Sequence, residues 1–146
     1  MFLGRYQHSL DEKGRLTIPA AFRETLSGGA FISRGFDRNL MVMTTASFEL
    51  VYQRVNATSL TDLNARMLRR LLLSDAYQVD LDRNGRILVP SNLREVLNIN
   101  GELVLVGVGE FFEVWTAADW SKQMETLQDT DANAQRFAML DLSTSQ

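Results

Sequence analysis

The stretch YQHSLDEKGRLTIPAAFRETL, residues 6–26, recurs 71 positions later as YQVDLDRNGRILVPSNLREVL, residues 77–97. The two align without a gap, ten of the 21 positions are identical, and the apolar sites recur at the same places. With one inserted residue the match continues weakly from residues 40–55 to residues 112–127. Similarity at a fixed spacing indicates an internal duplication. The sequence therefore predicts two structural repeats that together span most of the chain.

A tight turn between two strands opens each repeat. Alternating apolar residues flank DEKG in the first copy and DRNG in the second, a pattern typical of a β-hairpin. Asn84 and Gly85 favour a type I′ turn, and Lys13 with Gly14 is a weaker version of the same dipeptide. We therefore expect a β-hairpin at the same place in both repeats.

Short helices and apolar strands complete each repeat. Pro19 and Pro90 lie where a strand ends and a helix can begin. Thr116 with Asp119 predicts the start of the last helix of repeat 2, and Thr45 is expected to cap its counterpart in repeat 1. Each repeat thus reads β, β, α, β, β, α, with helices at 20–26 and 91–97 and strands at 31–36, 40–44, 103–108 and 111–115.

A further helix is expected between the repeats. Ser59 with Asp62 has the pattern of a helix N-terminus. The apolar residues after it fall on one helical face, namely Leu60, Leu63, Met67 and Leu71, with Leu68 and Leu72 beside them. The last residues are polar and acidic with one apolar cluster, so we expect a mobile or subunit-docking tail. The predicted divisions are repeat 1 at 1–57, the connecting helix at 58–76, repeat 2 at 77–128 and the acidic tail at 129–146.

Neither repeat is expected to fold alone. A two-stranded hairpin is marginal in water, and a four-strand half-domain of this size buries little apolar surface. We therefore expect an α+β fold in which the two tandem repeats pair about a pseudo-twofold axis.

Charge is distributed unevenly along the chain. The formal net charge of −3 at pH 7 argues mildly against nucleic acid as a partner, because cations that meet phosphates dominate duplex binding. Residues 1–38 carry +2, however, and residues 101–146 carry −6. Exposed charges more than about 8 Å apart are largely screened at physiological salt. A local cationic loop can therefore still bind phosphate.

Composition argues against several other kinds of site. The chain has no cysteine for disulfides, thiolate nucleophiles or zinc, which fits a reducing cytoplasm. His8 is the only histidine, so no histidine pair can hold a metal, and we expect no cofactor and no catalytic residues. Neither a signal peptide nor the roughly 20 apolar residues of a membrane span is present. We expect a cytoplasmic protein that is not an enzyme and has no membrane partner.

An Asp-x-x-x-Arg element occurs twice, as Asp11 to Arg15 and as Asp82 to Arg86, each around a glycine turn. A rigid turn that offers Lys13 and Arg15 can bind phosphate or enter a DNA groove, because a planar guanidinium donates paired hydrogen bonds. The alternative is a turn-stabilising salt bridge, worth roughly 0–1 kcal/mol when exposed, which duplication copies without any function. The motif alone leaves both interpretations open.

Two further arginines are repeated on the short helices. Arg23 and Arg94 lie beside Glu24 and Glu95. Charged pairs of this kind are more often solvated surface or interface contacts than ligand groups. We therefore interpret both arginines as structural.

The repeated DEKGR…P…R and DRNGR…P…R, together with the opening MFLG and the central RRLLLSDA, resemble the MraZ family, whose members are encoded at the head of bacterial division and cell wall gene clusters. The resemblance covers Met1 to about Leu127. It implies tandem half-barrels of the SpoVT-AbrB type and ring-shaped homo-oligomers. It also implies binding to double-stranded DNA at repeated promoter elements upstream of the protein's own operon, usually as a repressor, in the cytoplasm and nucleoid.

The same resemblance places the DNA-contacting loop on the first turn. Arg15 is then the leading expected contact, with Lys13 and Asp11 in support. The equivalent residues of repeat 2 are Asp82, Arg83 and Arg86. The tips differ, EK in one copy and RN in the other, so the sequence leaves open which of the two turns makes the main DNA contact.

Two other functions compete with the regulator. One is an oligomeric scaffold whose repeated turns form only interface salt bridges. The other is a hydrolase that uses scattered carboxylates, which is the weaker hypothesis because no base or metal ligand pairs with them. DNA affinity that falls steeply with salt and is lost in Arg15→Ala distinguishes the regulator from both.

Overall fold

The computed structural model describes residues 1–99 and 101–144. Repeat 1 contains β1 (Arg5–Ser9), β2 (Arg15–Thr17), α1 (Ala20–Arg23), β3 (Ala30–Arg34), β4 (Leu40–Thr44) and α2 (Thr45–Asn56). The connecting helix is α3 (Leu63–Leu73). Repeat 2 contains β5 (Tyr77–Val79), β6 (Arg86–Leu88), α4 (Ser91–Leu97), β7 (Glu102–Gly107), β8 (Phe111–Thr116) and α5 (Ala117–Leu127), and α6 (Thr130–Arg136) follows it. The α+β class and the order of elements in both repeats are confirmed.

The strands form two antiparallel sheets that both repeats build together. The larger sheet has the order β1-β7-β8-β4-β3-β5, and the smaller, which we call the ribbon, is β2 paired with β6. Exchanging every strand for its counterpart in the other repeat returns the same order read backwards. A pseudo-twofold axis therefore passes between β4 and β8 and through the centre of the ribbon, as the duplication predicts.

The predicted β-hairpin is present only at its tip. Leu10 and Leu16 form a single bridge, and the Asp11 N–H donates to the Arg15 carbonyl at 3.0 Å. Beyond this point the strands separate, because β1 pairs with β7 and β2 pairs with β6. The continuous hairpin was therefore a wrong expectation. Alternation specifies which face of a strand is buried but leaves the choice of partner strand open.

The type I′ turn is also wrong at both sites. The Gly85 N–H donates to the Asp82 carbonyl at 3.0 Å, and Gly85 has a φ of 74°. A type I′ turn needs positive φ at Asn84 as well, but Asn98 is the one non-glycine described here with positive φ. Gly14, at φ 80°, repeats the arrangement. Both are type I turns closed by a glycine in the left-handed region, which gives a three-residue loop.

The main core fills the space between the six-stranded sheet and a layer made of the ribbon and the short helices. Leu16 and Ile87 from the ribbon, Phe22 from α1 and Leu93 from α4 are all buried in this one cluster. Phe22 also stacks on Phe112 of β8, with ring centroids 5.0 Å apart. The ribbon thus closes the core from outside, with its alternate side chains facing away from the protein.

The opposite face of the sheet is covered by the longer helices. Met41 and Met43 of β4 lie in a cluster with Phe48 of α2 and Leu72 of α3. In repeat 2 a smaller cluster forms among Val104, Val106 and Trp115, with Trp120 of α5 packed against it. The connecting helix therefore packs mainly on repeat 1, and Phe111 of β8 also borders the cluster that it joins.

The longer helices begin at matching threonines. Thr44 Oγ1 accepts from the Ser47 N–H at 3.1 Å, and Thr116 Oγ1 accepts from the Asp119 N–H at 3.2 Å. The expected cap at Thr45 is therefore wrong by one residue, since Thr45 is the first residue of α2. The inserted residue in the second half of the alignment places Thr44, not Thr45, opposite Thr116.

The connecting helix begins later than its capping pattern suggested. Asp62 is the N-cap, and its carboxylate accepts from the Asn64 N–H at 2.8 Å. Leu60 therefore precedes the helix. Leu63 and Met67 are exposed, whereas Ala65 and Leu72 form the buried face. The prediction is therefore correct only in part: Leu72 and Leu68, beside the predicted face, pack on this chain, whereas Leu63 and Met67 face solvent.

The acidic tail contains a short helix that the sequence did not predict. Asp129 caps α6 by accepting from the Ala132 N–H at 3.0 Å. The apolar residues beyond α6 are exposed, namely Phe137, Met139, Leu140 and Leu142. None of the helices described combines the length and apolar character that crossing a membrane requires.

The ribbon gives a direct test of its role in the core. Leu16→Ala removes a side chain with 0% exposure and should lower the free energy of unfolding by about 2–5 kcal/mol, through lost burial and the cavity left behind. Leu88→Ala, on the outward face and 55% exposed, is the matched control and should change it by less than about 0.5 kcal/mol. Urea denaturation of both variants measures the difference. Equal effects would contradict a ribbon seated on the core.

Candidate nucleic-acid interface

The first turn is built around the carboxylate of Asp11. Its Oδ1 accepts from the backbone N–H groups of Lys13 and Arg15, both at 2.9 Å. Its Oδ2 accepts from the Arg15 Nε–H at 2.6 Å. One side chain therefore fixes both the backbone of the turn and the direction of the arginine.

The second turn repeats this geometry. The Asp82 Oδ1 accepts from the backbone N–H groups of Asn84 and Arg86, both at 2.9 Å. The Oδ2 accepts from the Arg86 Nε–H at 2.9 Å. The Asp-x-x-x-Arg spacing is therefore the spacing at which an aspartate can cap its own turn and still hold the arginine after it.

The ribbon brings the two turns together. The backbone register pairs Arg15 with Leu88 and Thr17 with Arg86, so each turn leads into one end of the same two strands. The Arg86 guanidinium also lies 3.6 Å from the Asp11 carboxylate of the other turn. The duplicated motifs thus form one surface, on which Asp11, Arg15 and Arg86 are in direct contact or share a partner.

The tips of the turns are exposed, and each carries a cationic side chain. Lys13 and Arg83 both lie in the solvent-exposed part of their turns. The side chains of Arg15 and Arg86 are about one-third and one-quarter exposed. All six residues expected from the sequence therefore lie on the ribbon or its turns, namely Asp11, Lys13, Arg15, Asp82, Arg83 and Arg86.

Two residues of this surface escaped the sequence analysis. Thr17 and Leu88 occupy equivalent positions in the repeats and share the outward face of the ribbon with Arg15 and Arg86, because strand side chains alternate between faces. Leu88 is 55% exposed, which is unusual for a leucine at the centre of a sheet pair. The clue in the sequence was the 71-residue offset, which places Thr17 and Leu88 two residues after each arginine.

The hydrogen bonds of the turns lower the pKa of both aspartates. For Asp11 the backbone N–H of Arg15 is the largest cause, partial desolvation opposes it, and the Arg15 side chain lowers the pKa further. For Asp82 the backbone N–H of Arg86 comes first, again opposed by desolvation. Both carboxylates are therefore firmly ionised acceptors at neutral pH.

Arg23 and Arg94 lie beneath these turns. The Arg23 Nε–H donates to the Ile18 carbonyl at 2.8 Å, at the end of β2. Each guanidinium packs against the buried glycine of a turn, Gly85 for Arg23 and Gly14 for Arg94. Both residues are partly buried. Their positions agree with the interpretation of both as structural contacts.

The described residues contain no group of three or more His, Asp or Glu side chains able to hold a metal ion. His8 lies in β1, opposite Leu103 of β7. An apolar pocket of about 480 Å³ lies elsewhere, between β4 and α2. Its lining includes Met43, Leu50 and Phe111.

The fold and this surface define a two-repeat α+β protein that displays a pair of aspartate-anchored arginines on a shared ribbon. A family model described as "MraZ protein, putative antitoxin-like" matches the chain twice, at residues 1–71 and 72–142. The chain therefore belongs to the MraZ family, and the tandem-repeat organisation is that of the family.

Curated relatives share most of the chain. The transcriptional regulator MraZ of Roseiflexus castenholzii is 43% identical over 138 residues, 94% of each protein. That of Thermomicrobium roseum is 40% identical over 96% of this chain and 99% of its own. The transcriptional regulator MraZ of Leuconostoc mesenteroides is 38% identical over 97% of this chain and 100% of its own.

The aspartates of the two turns should become protonated only at pH values below those usual for aspartate. Because the pKa of Asp11 is lower in the folded protein, its ionised form stabilises folding at all pH values above the ordinary 3.8, and this contribution is lost as pH falls through the lowered value. A ¹³C NMR titration should give midpoints below 3.8 for Asp11 and Asp82. In Arg15→Ala the Asp11 midpoint should rise but stay below 3.8, since the backbone N–H remains. A wild-type midpoint at or above 3.8 would contradict the geometry.

Proposed function

We propose that this chain is a sequence-specific DNA-binding transcriptional regulator that represses its own division and cell wall operon from repeated elements upstream of it. The observation that carries the proposal is the placement of two aspartate-anchored arginines on one exposed ribbon. The relatives' shared name, transcriptional regulator, supports the same function. A regulator of this kind meets its promoter in the cytoplasm, on the nucleoid, and no catalytic step is part of the proposal.

The ribbon is of the kind that can enter the major groove, since it consists of two antiparallel strands. The major groove of B-DNA admits a two-stranded β-ribbon, and several regulators read bases this way. A guanidinium carries five N–H donors, and each aspartate takes the one on Nε. The outer nitrogens of Arg15 and Arg86 then suit paired hydrogen bonds to a guanine edge or a phosphate.

The supporting residues have separate roles. Asp11 and Asp82 hold the arginines in place before DNA arrives, so less side-chain entropy is lost on binding. Lys13 and Arg83, at the exposed tips, suit phosphate contacts that position the ribbon. The two turns need not contribute equally, because Arg86 is also held by Asp11 across the ribbon.

The low net charge fits an assembly that uses many weak contacts. Most of the acidity lies in residues 101–146, away from the turns in sequence. We propose that copies assemble into a closed homo-oligomeric ring with several ribbons on one side. Repeated DNA sites then gain effective concentration, roughly 10² or more in affinity when their spacing matches.

The second candidate is an oligomeric scaffold without DNA readout. The ion pair from Arg86 to Asp11 favours it, because it joins the two turns without any ligand. Partly exposed ion pairs are worth little, however, about 0–1 kcal/mol. They do not account for the exposed Lys13 and Arg83 beside them, and we therefore favour the regulator.

DNA binding and its dependence on the arginines are measurable by fluorescence anisotropy, with DNA from upstream of the protein's own gene and a scrambled duplex. The upstream DNA should bind more tightly, and its affinity should fall with salt by about 0.9 log units per log unit of salt for each phosphate neutralised. Arg15→Ala should cost about 1–3 kcal/mol and abolish most of the preference. Lys13→Ala should weaken both duplexes similarly and reduce the salt slope by about one.

Arg38→Ala is the control for loss of charge, since Arg38 is exposed, lies outside the ribbon and pairs with Asp119. It should leave the preference unchanged. Loss of preference in Arg86→Ala alone would keep the function and assign reading to the second turn. A folded wild-type protein with no preference for the upstream DNA would overturn the regulator and favour the scaffold.

The ring is tested by native mass spectrometry of the wild-type protein. A closed ring should give one discrete species at a multiple of 16.5 kDa that does not grow with concentration. A monomer at micromolar concentration, or an open series of masses, would contradict the ring and remove the multivalent gain from the proposal.

A further inference from the structure

The two repeats exchange support beneath their turns. A Cβ added to Gly14 of the first turn would lie 2.7 Å from Cζ of Arg94, which belongs to α4 of repeat 2. A Cβ added to Gly85 of the second turn would lie 2.6 Å from Cζ of Arg23, which belongs to α1 of repeat 1. Each guanidinium therefore packs against the turn of the other repeat.

Backbone contacts follow the same crossing. The Ile18 N–H donates to the Gly85 carbonyl at 2.9 Å, while the Ile18 carbonyl accepts from Arg23. The Val89 N–H donates to the Gly14 carbonyl at 2.9 Å. The residue after each ribbon strand thus donates a backbone hydrogen bond to the glycine of the opposite turn. An arginine fills the space beside that glycine.

We propose that Arg94 positions the turn that presents Arg15, and that Arg23 positions the turn that presents Arg86. The inference rests on the proposed function in one respect, namely that these turns read DNA. It goes beyond that function because it assigns roles to two residues away from the DNA-facing surface, and because it makes each repeat responsible for the reader of the other.

The physical reason is the shape of the buried glycine. Gly14 and Gly85 have positive φ and are buried. Each lacks a Cβ, so a neighbouring side chain must fill the space beneath the turn if the turn is to keep its type I form. The planar guanidinium fills that space. Removing it leaves a gap under the turn, and the aspartate-bound amides of that turn then open more often.

The two arginines are not equally satisfied. Arg23 donates from Nε to a carbonyl, whereas the buried Nε of Arg94 has no hydrogen-bond partner among residues 1–99 and 101–144. Packing alone therefore holds Arg94 in place. Replacing Arg94 by Met, which keeps an unbranched stem, should perturb its turn less than the same change at Arg23, which also leaves the Ile18 carbonyl without its donor.

Amide hydrogen exchange of the full-length protein tests the crossing without DNA. Arg94→Ala should speed exchange at the Lys13 and Arg15 amides by about tenfold and leave the Asn84 and Arg86 amides within about twofold of wild type. Arg23→Ala should do the reverse. Glu95→Ala and Glu24→Ala, at the neighbouring exposed positions of the same helices, are the matched controls and should change neither pair.

Faster amide exchange in the turn of the substituted arginine's own repeat would overturn the inference. Equally faster exchange in both turns would also overturn it, because general destabilisation gives that result. If an alanine variant fails to fold, the Met variants serve instead, with the same crossed pattern expected at smaller amplitude.

DNA binding supplies an independent readout. Arg94→Ala should lower the preference for upstream DNA by about tenfold, with little further effect once Arg15 is Ala but an additive effect with Arg86→Ala. Crossed exchange together with no wild-type DNA preference would sink the proposed function while leaving the structural coupling intact. Normal DNA preference with uncrossed exchange would sink the inference alone.

Discussion

The antiparallel pairing of β2 with β6 is the contact on which both the core and the proposed DNA-binding surface depend. Leu16 and Ile87 point inward from it and are fully buried, while Arg15 and Arg86 lie on its outward face. Three residues from each repeat are too few for a stable hairpin arm within one repeat. Paired across the pseudo-twofold axis, they close a core that neither repeat has alone.

The aspartates convert this scaffold into a recognition surface. Each carboxylate accepts hydrogen bonds from two backbone N–H groups and from the Nε–H of the arginine that follows. The largest effect on the Asp11 pKa comes from the backbone rather than from the arginine charge. Two of the three hydrogen bonds that Asp11 accepts come from backbone N–H groups, so the turn retains them when the arginine engages another anion.

The sequence predicted the order of elements because apolar periodicity and turn residues are local properties, and the duplication shows the same order twice. It failed at partner choice, since nothing in YQHSL indicates that β1 pairs with β7 rather than β2. It failed at the turn type because Asn84-Gly85 outweighed the aspartate two residues earlier, which favours a type I turn. All six expected site residues lie on one surface, but Leu88 and Arg94 depend on contacts between the repeats, which no single repeat encodes.

Crossed support also restricts how the repeats can diverge. A change at Arg23 acts on the turn around Gly85, so a substitution in one half is felt by the reader of the other. The copies differ at the exposed tips, EK against RN, and at one outward ribbon position, where Thr17 in repeat 1 corresponds to Leu88 in repeat 2. The proposed DNA-binding surface thus differs between the copies at these exposed positions, while the aspartates, arginines and glycines that anchor the turns are the same in both. On the proposed function, a nearly symmetric fold presents two unequal turns to DNA.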